Sequence, residues 1–327
     1  SSVVVDAAIN FISDAQATEQ PFFVVLWFGS PHEPYSGLEE DLALYDNLPN
    51  QYAEKIVTLT SNHTGLQIRR PLRDVLRERY AEITAMDRAI GKLRDYLDRV
   101  GLKNNTLLWY KGDNGTPSSG LADSPLRGLK GTMYEEGIRV PSIIEWPARI
   151  QSARTTEVPA VTSDILPTLT TLTGQNLPDR VLDGINLEPL IDGMMTTRPQ
   201  PIFFWSFNID GLDGRMTTPY IRDDLQTGTT PLVKLMDGIP TRIFQNFHYA
   251  TVMPNDYLGA RVVLDNDYKL VVDGSAGSTT ELFNITRDPG ETTDLSDSEP
   301  TVVDAMRRQL REWQDSTLNS LTGADYQ

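Results

Sequence analysis

The chain has 327 residues, 39% hydrophobic and 23% charged, which is enough for a large core plus a smaller one and excludes disordered, collagen-like and coiled-coil classes. Twenty-nine Lys and Arg stand against 45 Asp and Glu, a formal charge of −16, the reverse of the basic footprint that nucleic acid requires, so no nucleic acid partner is expected. With no cysteine, disulfides, zinc-thiolate sites and a thiol nucleophile are excluded within this chain.

The chain begins without Met, running straight into an apolar rhythm (Val3, Val4, Val5, Ala8, Ile9, Phe11, Ile12) with no basic leader, and it is expected to start within a longer protein. Residues 3–18 read as an amphipathic helix. Gln20-Pro21 then leads into the longest apolar run, Phe22 to Phe28, which is far too short to span a bilayer and reads as a strand buried on both faces; helix followed by buried strand suggests a parallel sheet. From Pro71 to Val100, apolar residues keep three- and four-residue spacing, with Arg94/Asp98 and Asp95/Arg99 as pairs on the wet side and Gly101 closing the helix. A strand over 106–110 ends at Gly112-Asp113-Asn114-Gly115. A Gly/Ser/Pro-rich loop follows through 129, then a strand from Arg139 to Trp146 and a helix capped by Ser163 that runs to Leu172.

This alternation predicts an α/β fold, a doubly wound and mostly parallel sheet over residues 1–205. Residues 206–259 read as a loop-rich connection that shapes a cleft. The tail, 260–327, reads as a small α+β subdomain. In it Arg261–Leu264 and Tyr268–Val272 flank a hairpin turn at Asp265-Asn266-Asp267, with a third strand at 281–283 and a last helix over 301–313.

Ligands of open α/β sheets bind at the carboxyl ends of strands. At the first such exit, Pro31-His32-Glu33-Pro34 fixes a histidine between two prolines, whereas His63 and His248 have no comparable setting. At the second, Asp113 and Asn114 offer adjacent oxygen donors that suit Ca²⁺ or Mg²⁺; the same dipeptide also makes an ordinary turn bonded to its own backbone. Lys130, flanked by glycine, can bring a point charge to an anionic group or stand as a solvated loop lysine. Arg139 and Glu136 read as a structural ion pair or as solvated groups. Tyr35, Trp205, Phe207 and Tyr220 are aromatics that can stack on sugar faces or pack in the core. Sequons at Asn62, Asn104 and Asn284 carry weight only in a secreted protein.

Taken in order, four stretches resemble motifs of the formylglycine-dependent sulfatases of the alkaline phosphatase superfamily. They are Pro31-His32-Glu33-Pro34, Gly112-Asp113-Asn114-Gly115, Lys130-Gly131-Thr132-Met133-Tyr134-Glu135-Glu136-Gly137-Ile138-Arg139-Val140-Pro141, and Lys269-Leu270 with Glu281-Leu282-Phe283 and Asp288-Pro289-Gly290-Glu291. The family's Cys/Ser-x-Pro-x-Arg nucleophile motif and its N-terminal Asp-Asp pair are absent, so the chain looks like the C-terminal part of such an enzyme, and alone it is expected to be neither catalytic nor a stable fold. The resemblance implies a sulfatase that hydrolyses sulfate monoesters of a sulfated carbohydrate. In it Asp113 and Asn114 ligate Ca²⁺ (or Mg²⁺) together with carboxylates from elsewhere, Lys130 holds sulfate oxygens, and His32 lies at the leaving-group oxygen. It implies further that a companion N-terminal polypeptide supplies a hydrated formylglycine, that a sulfated enzyme intermediate forms, and that the protein is periplasmic or secreted. Asn114, where two-metal relatives carry histidine, favours a single calcium-like ion but leaves phosphonate monoester hydrolases as an alternative. A non-catalytic binding fragment is the alternative outside enzymes.

Overall fold

A computed structural model describes residues 1–61, 64–120, 123–207, 216–219, 234–236, 239–242, 247–273 and 279–325. The chain divides into two compact units, Ser1–Arg154 and Thr155–Gln327.

In the first unit, helix α1 (Ser2–Ala17) turns Val5, Ala8 and Ile12 inward. Short helices α2 (Glu39–Leu42) and α3 (Gln51–Glu54) lead to an antiparallel hairpin, β1 (Ile56–Thr60) with β2 (Gln67–Pro71), in which Leu59 faces Ile68. Helix α4 (Leu72–Arg99) is the spine of this unit and joins two cores. Its first turns bury Leu72, Val75 and Leu76 with Tyr35, Val57 and Leu59. Its last turns bury Ala89, Leu93, Tyr96 and Leu97 with Val5 and Ile12 of α1. Gly101, at φ 76°, ends the helix in the left-handed region where a Cβ would be strained. Strand β3 (Leu108–Lys111) pairs antiparallel with β4 (Ser142–Glu145), and the single turn α5 (Glu135–Ile138) lies between them in sequence. Arg94 bonds Glu145 of β4 at 2.6 and 3.0 Å instead of pairing with Asp98 along its own helix.

The expected strand over 22–28 is corrected. Phe22, Val24, Leu26 and Phe28 pack against the α1/α4 core, but Phe23, Val25 and Trp27 on the alternate face are exposed, Trp27 by 88%. The segment is extended with no ladder partner, and every strand pairing among the described residues is antiparallel. Period-two alternation at this site therefore marks one covered face, and a continuous apolar run by itself could not reveal that the second face is open.

In the second unit, a 3₁₀ turn (Thr162–Asp164) enters α6 (Ile165–Leu172), and a short α7 (Glu188–Ile191) follows. Asp164 replaces Ser163 as the organising residue. Its carboxylate, fully buried, accepts from the amides of Val161 and Ile185 and from both terminal nitrogens of the buried Arg198, each at 2.8 Å. Strand β5 (Ile202–Trp205), at the end of the segment read as part of the doubly wound sheet, forms the edge of the C-terminal sheet. There the strand order is β12-β11-β10-β5, all antiparallel, with β10 Arg261–Asp265, β11 Tyr268–Asp273 and β12 Thr279–Asn284. Asn266 makes the β10–β11 turn at φ 49°, a conformation asparagine tolerates. Helix α8 (Pro300–Thr322) runs beyond the expected 301–313 and seats Val303, Met306 and Leu310 on Val263, Leu270, Val272 and Leu282. Lys269 and Glu291 form a fully buried ion pair at 2.8 Å. The stretch 206–259, read as loops, contains strand pairs β6 (Met216–Pro219) with β9 (Phe247–Tyr249) and β7 (Lys234–Met236) with β8 (Ile239–Arg242).

Candidate active site

The four residues singled out by sequence all lie in the first unit, and the backbone brings three of them together. Residues 112–116, which follow β3, run beside residues 130–141. Gly112 N–H donates to Pro141 O at 3.0 Å, Gly115 N–H to Gly137 O at 3.0 Å, and Lys130 N–H to Thr116 O at 2.9 Å. This stitching needs glycine, because a Cβ on Gly115 would lie 1.6 Å from Glu136 O and one on Gly137 would lie 2.2 Å from Thr132 O. Lys130, half-buried, is therefore registered two residues from Asn114.

The loop that carries Lys130 is held from within. Thr132 Oγ1 donates to Leu129 O at 2.8 Å, the Glu136 amide donates to Arg127 O at 2.8 Å, and the Arg127 guanidinium sits 3.8 Å from the Tyr134 ring centre. Ser124 Oγ donates to Glu136, and Arg139 pairs with Glu135 at 3.5 Å, so the structural reading of Glu136 and Arg139 holds with a different partner for the arginine.

Asp113 is exposed and Asn114 half-buried, and Asp113 Oδ1 accepts the amide of the next residue, Asn114, at 2.9 Å. The two side chains present hard oxygen donors, which fit an oxygen-ligated dication and disfavour a soft metal. Among the described residues no group of three or more His, Asp and Glu gathers to hold a metal ion, so this pair is a partial donor set. Burial lowers the Lys111 ammonium from its ordinary value, and the Asp113 charge partly offsets that.

His32 is exposed, in a segment with cis bonds at Ser30-Pro31 and Glu33-Pro34. Its Nδ1 lies 2.6 Å from Glu33 O. A carbonyl can only accept, so Nδ1 carries the proton and Nε2 is the nitrogen left for chemistry, an acceptor when neutral and a donor when protonated. No contact ties His32 directly to Lys130 or Asp113, but its segment reaches the same loop through Tyr35. The Tyr35 phenol, 1% exposed, hydrogen bonds Ser119, and burial raises its pKa above the ordinary value. Tyr35 is thus a packing residue and not a sugar platform. Trp205 likewise packs edge-on to Phe207 at 4.9 Å and bonds Leu258 O at 2.8 Å. Tyr220, His63 and Asn62 lie outside the described residues. Sequence reasoning missed Gly115 and Gly137 as close-approach positions, although glycines inside the motifs were the available signal. It also missed Arg79 on α4, for which a helical register offers none.

Residues 1–175 match the family model described as Sulfatase. The chain is 31% identical over 211 residues to arylsulfatase A of Bos taurus, covering 63% of this chain and 36% of that protein. Ps i-CgsB, solved in complex with k-i-k-neocarrahexaose, superposes with a TM-score of 0.68 at 22% identity, covering 97% of this chain and 55% of that one. BT4656, solved in complex with its substrate D-glucosamine-2-N,6-O-disulfate, superposes with a TM-score of 0.64 at 17% identity, covering 96% and 69%. These superpositions show the alkaline-phosphatase-like fold.

Proposed function

Because this chain belongs to the sulfatase family, we propose that it is the C-terminal part of a sulfuric ester hydrolase acting on sulfate monoesters of a carbohydrate. The observation that carries the reading is the triple stitch between 112–116 and 130–141, which sets two oxygen donors and a lysine side by side on a strand exit. Sugar as the substrate class is supported by the complexes of the structural neighbours with a neocarrahexaose and a disulfated glucosamine.

Asp113 and Asn114 would hold a Ca²⁺ or Mg²⁺ ion, which when bound neutralises charge on the sulfuryl oxygens. Lys130 adds a second positive charge on the same group and keeps it oriented. His32, its tautomer set by the Glu33 carbonyl, presents Nε2; protonated, that nitrogen donates to the leaving-group oxygen as negative charge develops there. The nucleophile, a formylglycine, would come from a companion N-terminal polypeptide that also supplies the remaining carboxylate ligands. One observation supports that partner: Phe23, Val25 and Trp27 form an exposed apolar row on an extended segment that has no ladder partner among the described residues. The chain spans 36% of the length of bovine arylsulfatase A. We place the protein outside the cytoplasm, periplasmic or secreted, as its family membership supports; no described helix is long and apolar enough to cross a membrane.

The test is release of inorganic sulfate from sulfated oligosaccharides by the complete protein. Asp113→Ala and Lys130→Ala should each lower the rate by 10²-fold or more. Unchanged rates would overturn the assignment. Phosphonate monoester turnover exceeding sulfate release would move it to the related hydrolases, and cation binding without turnover would leave a binding fragment.

A further inference from the structure

Helix α4 carries one arginine whose partners all belong to the loop between the Asp113-Asn114 turn and Lys130. Arg79 donates through Nη1 to Gly120 O and through Nη2 to Thr116 Oγ1 at 3.3 Å. Its Nε is buried without a hydrogen-bond partner, so the guanidinium is oriented by the loop and not by complete satisfaction of its own donors. Gly120 lets the loop close onto this side chain, since a Cβ there would lie 3.0 Å from Arg79 Cδ and 3.0 Å from the Tyr35 hydroxyl. Thr116 is the same residue whose carbonyl accepts the Lys130 amide. One turn further along α4, Glu82 Oε1 accepts the Ser36 amide at 2.9 Å and the Ser36 hydroxyl at 3.3 Å, anchoring the chain just after His32.

We propose that Arg79 is a positioning residue of the site: it fixes the Thr116–Gly120 loop against α4 and so sets where Lys130 and the Asp113-Asn114 turn stand relative to one another. The helix provides what a loop cannot. A loop stitched only to another loop can slide as a unit, whereas two bonds from one planar guanidinium to Gly120 O and Thr116 Oγ1 fix both its position and its tilt. An arginine on the same helix shows the contrast. Arg77 donates to Leu42 O at 3.1 Å and pairs with Asp46 at 2.7 Å, both away from the site segments. The catalytic meaning of this role rests on the sulfatase reading, but the mechanical part does not.

The experiment compares Arg79→Ala, Arg79→Lys and Arg77→Ala in the complete protein by three readouts: amide hydrogen exchange across 113–132, Ca²⁺ affinity by titration, and kcat and KM for sulfate release. Arg79→Ala should speed exchange at Lys130 by tenfold or more, weaken Ca²⁺ by 10- to 100-fold and lower kcat by a similar factor with KM changed less than threefold. Arg79→Lys, which keeps charge and one donor to Gly120 O, should fall between Arg79→Ala and the parent. Arg77→Ala should match the parent in exchange at 113–132 and in kcat. Unchanged exchange at Lys130 in Arg79→Ala overturns the proposal whatever the enzyme does. Faster exchange with parental Ca²⁺ affinity and kcat also overturns it, since the loop would then be held without being positioned for function. Equal losses in Arg77→Ala would reduce Arg79 to general helix stability. If Arg79→Ala behaves as expected in exchange and Ca²⁺ affinity while the parent releases no sulfate, the sulfatase reading fails and the positioning role stands.

Discussion

Replacing Gly115 with alanine tests the stitch that assembles the site. The new Cβ would lie 1.6 Å from Glu136 O, 2.7 Å from Glu136 C and 2.9 Å from Gly137 Cα, all backbone atoms that no rotamer change can move aside. Ordinary carbon–oxygen contact requires the two segments to part by about 1.8 Å, which breaks the 3.0 Å bond from Gly115 N–H to Gly137 O. Losing that bond costs about 1 kcal/mol, and overpacking against backbone costs on the order of 1–3 kcal/mol more. The sum, about 2–4 kcal/mol, should lower Tm by roughly 5–15 °C for a unit of this size. Calorimetry of the complete protein reads it directly, with Gly91→Ala as the counterpart. Gly91 lies inside α4, where an added Cβ would meet nothing within 4 Å beyond the helix's own backbone, and alanine there should raise stability by up to about 1 kcal/mol. Because Gly115 adjoins Asn114, Gly115→Ala should also weaken Ca²⁺ binding. A variant melting within about 1 °C of the parent, with parental Ca²⁺ affinity, would refute the claim that this close approach builds the site.

The buried Arg198–Asp164 pair supports α6 and the turn at Ile185, so Arg198→Ala, which leaves the carboxylate at zero exposure with two amide donors but no counter-charge, should destabilise the second unit by about 3–5 kcal/mol on denaturant titration. A loss below 1 kcal/mol would show that the carboxylate finds other compensation. Burial raises the Glu82 pKa above its ordinary value, more than its bonds from Ser36 lower it. The stability carried by its protonated form is therefore fully present below about pH 4 and is lost as pH rises through the raised pKa. Glu82→Gln keeps a carbonyl for the Ser36 amide and carries no charge, so its Tm relative to the parent should rise between pH 4 and pH 7. A difference that falls over that window would reverse the sign of the burial effect.

Amphipathic segments were the most legible part of the chain. Helices α1, α4 and α8 follow directly from apolar spacing, and the β10–β11 hairpin follows from Asp265-Asn266-Asp267 between apolar runs. Pairing partners were not legible, because periodicity states which face is apolar and not what covers it. Phe22 to Phe28 therefore read as fully buried although one face is open, and the 1–205 grouping takes in Ile202–Trp205, which ladders onto Arg261–Leu264. Asp164 was passed over for Ser163 because three of its four hydrogen bonds come from residues 21 and 34 positions away, which no local capping rule sees. Residue types together with the sulfatase resemblance single out Asp113, Asn114, Lys130 and His32 as candidates. Of the devices that hold the segments bearing them, the approach of Gly115 to Glu136 is signalled only by a glycine inside the motif, and the hold of Arg79 on Thr116–Gly120 leaves no pattern in a single sequence.

The most direct test of the account is mass spectrometry of the purified, denatured protein, looking for an N-terminal polypeptide and mapping the residue ahead of its Pro-x-Arg. The account predicts a cysteine or serine converted there to formylglycine, in material that releases sulfate. This chain found alone, or an N-terminal partner with no Cys/Ser-x-Pro-x-Arg motif, would contradict it.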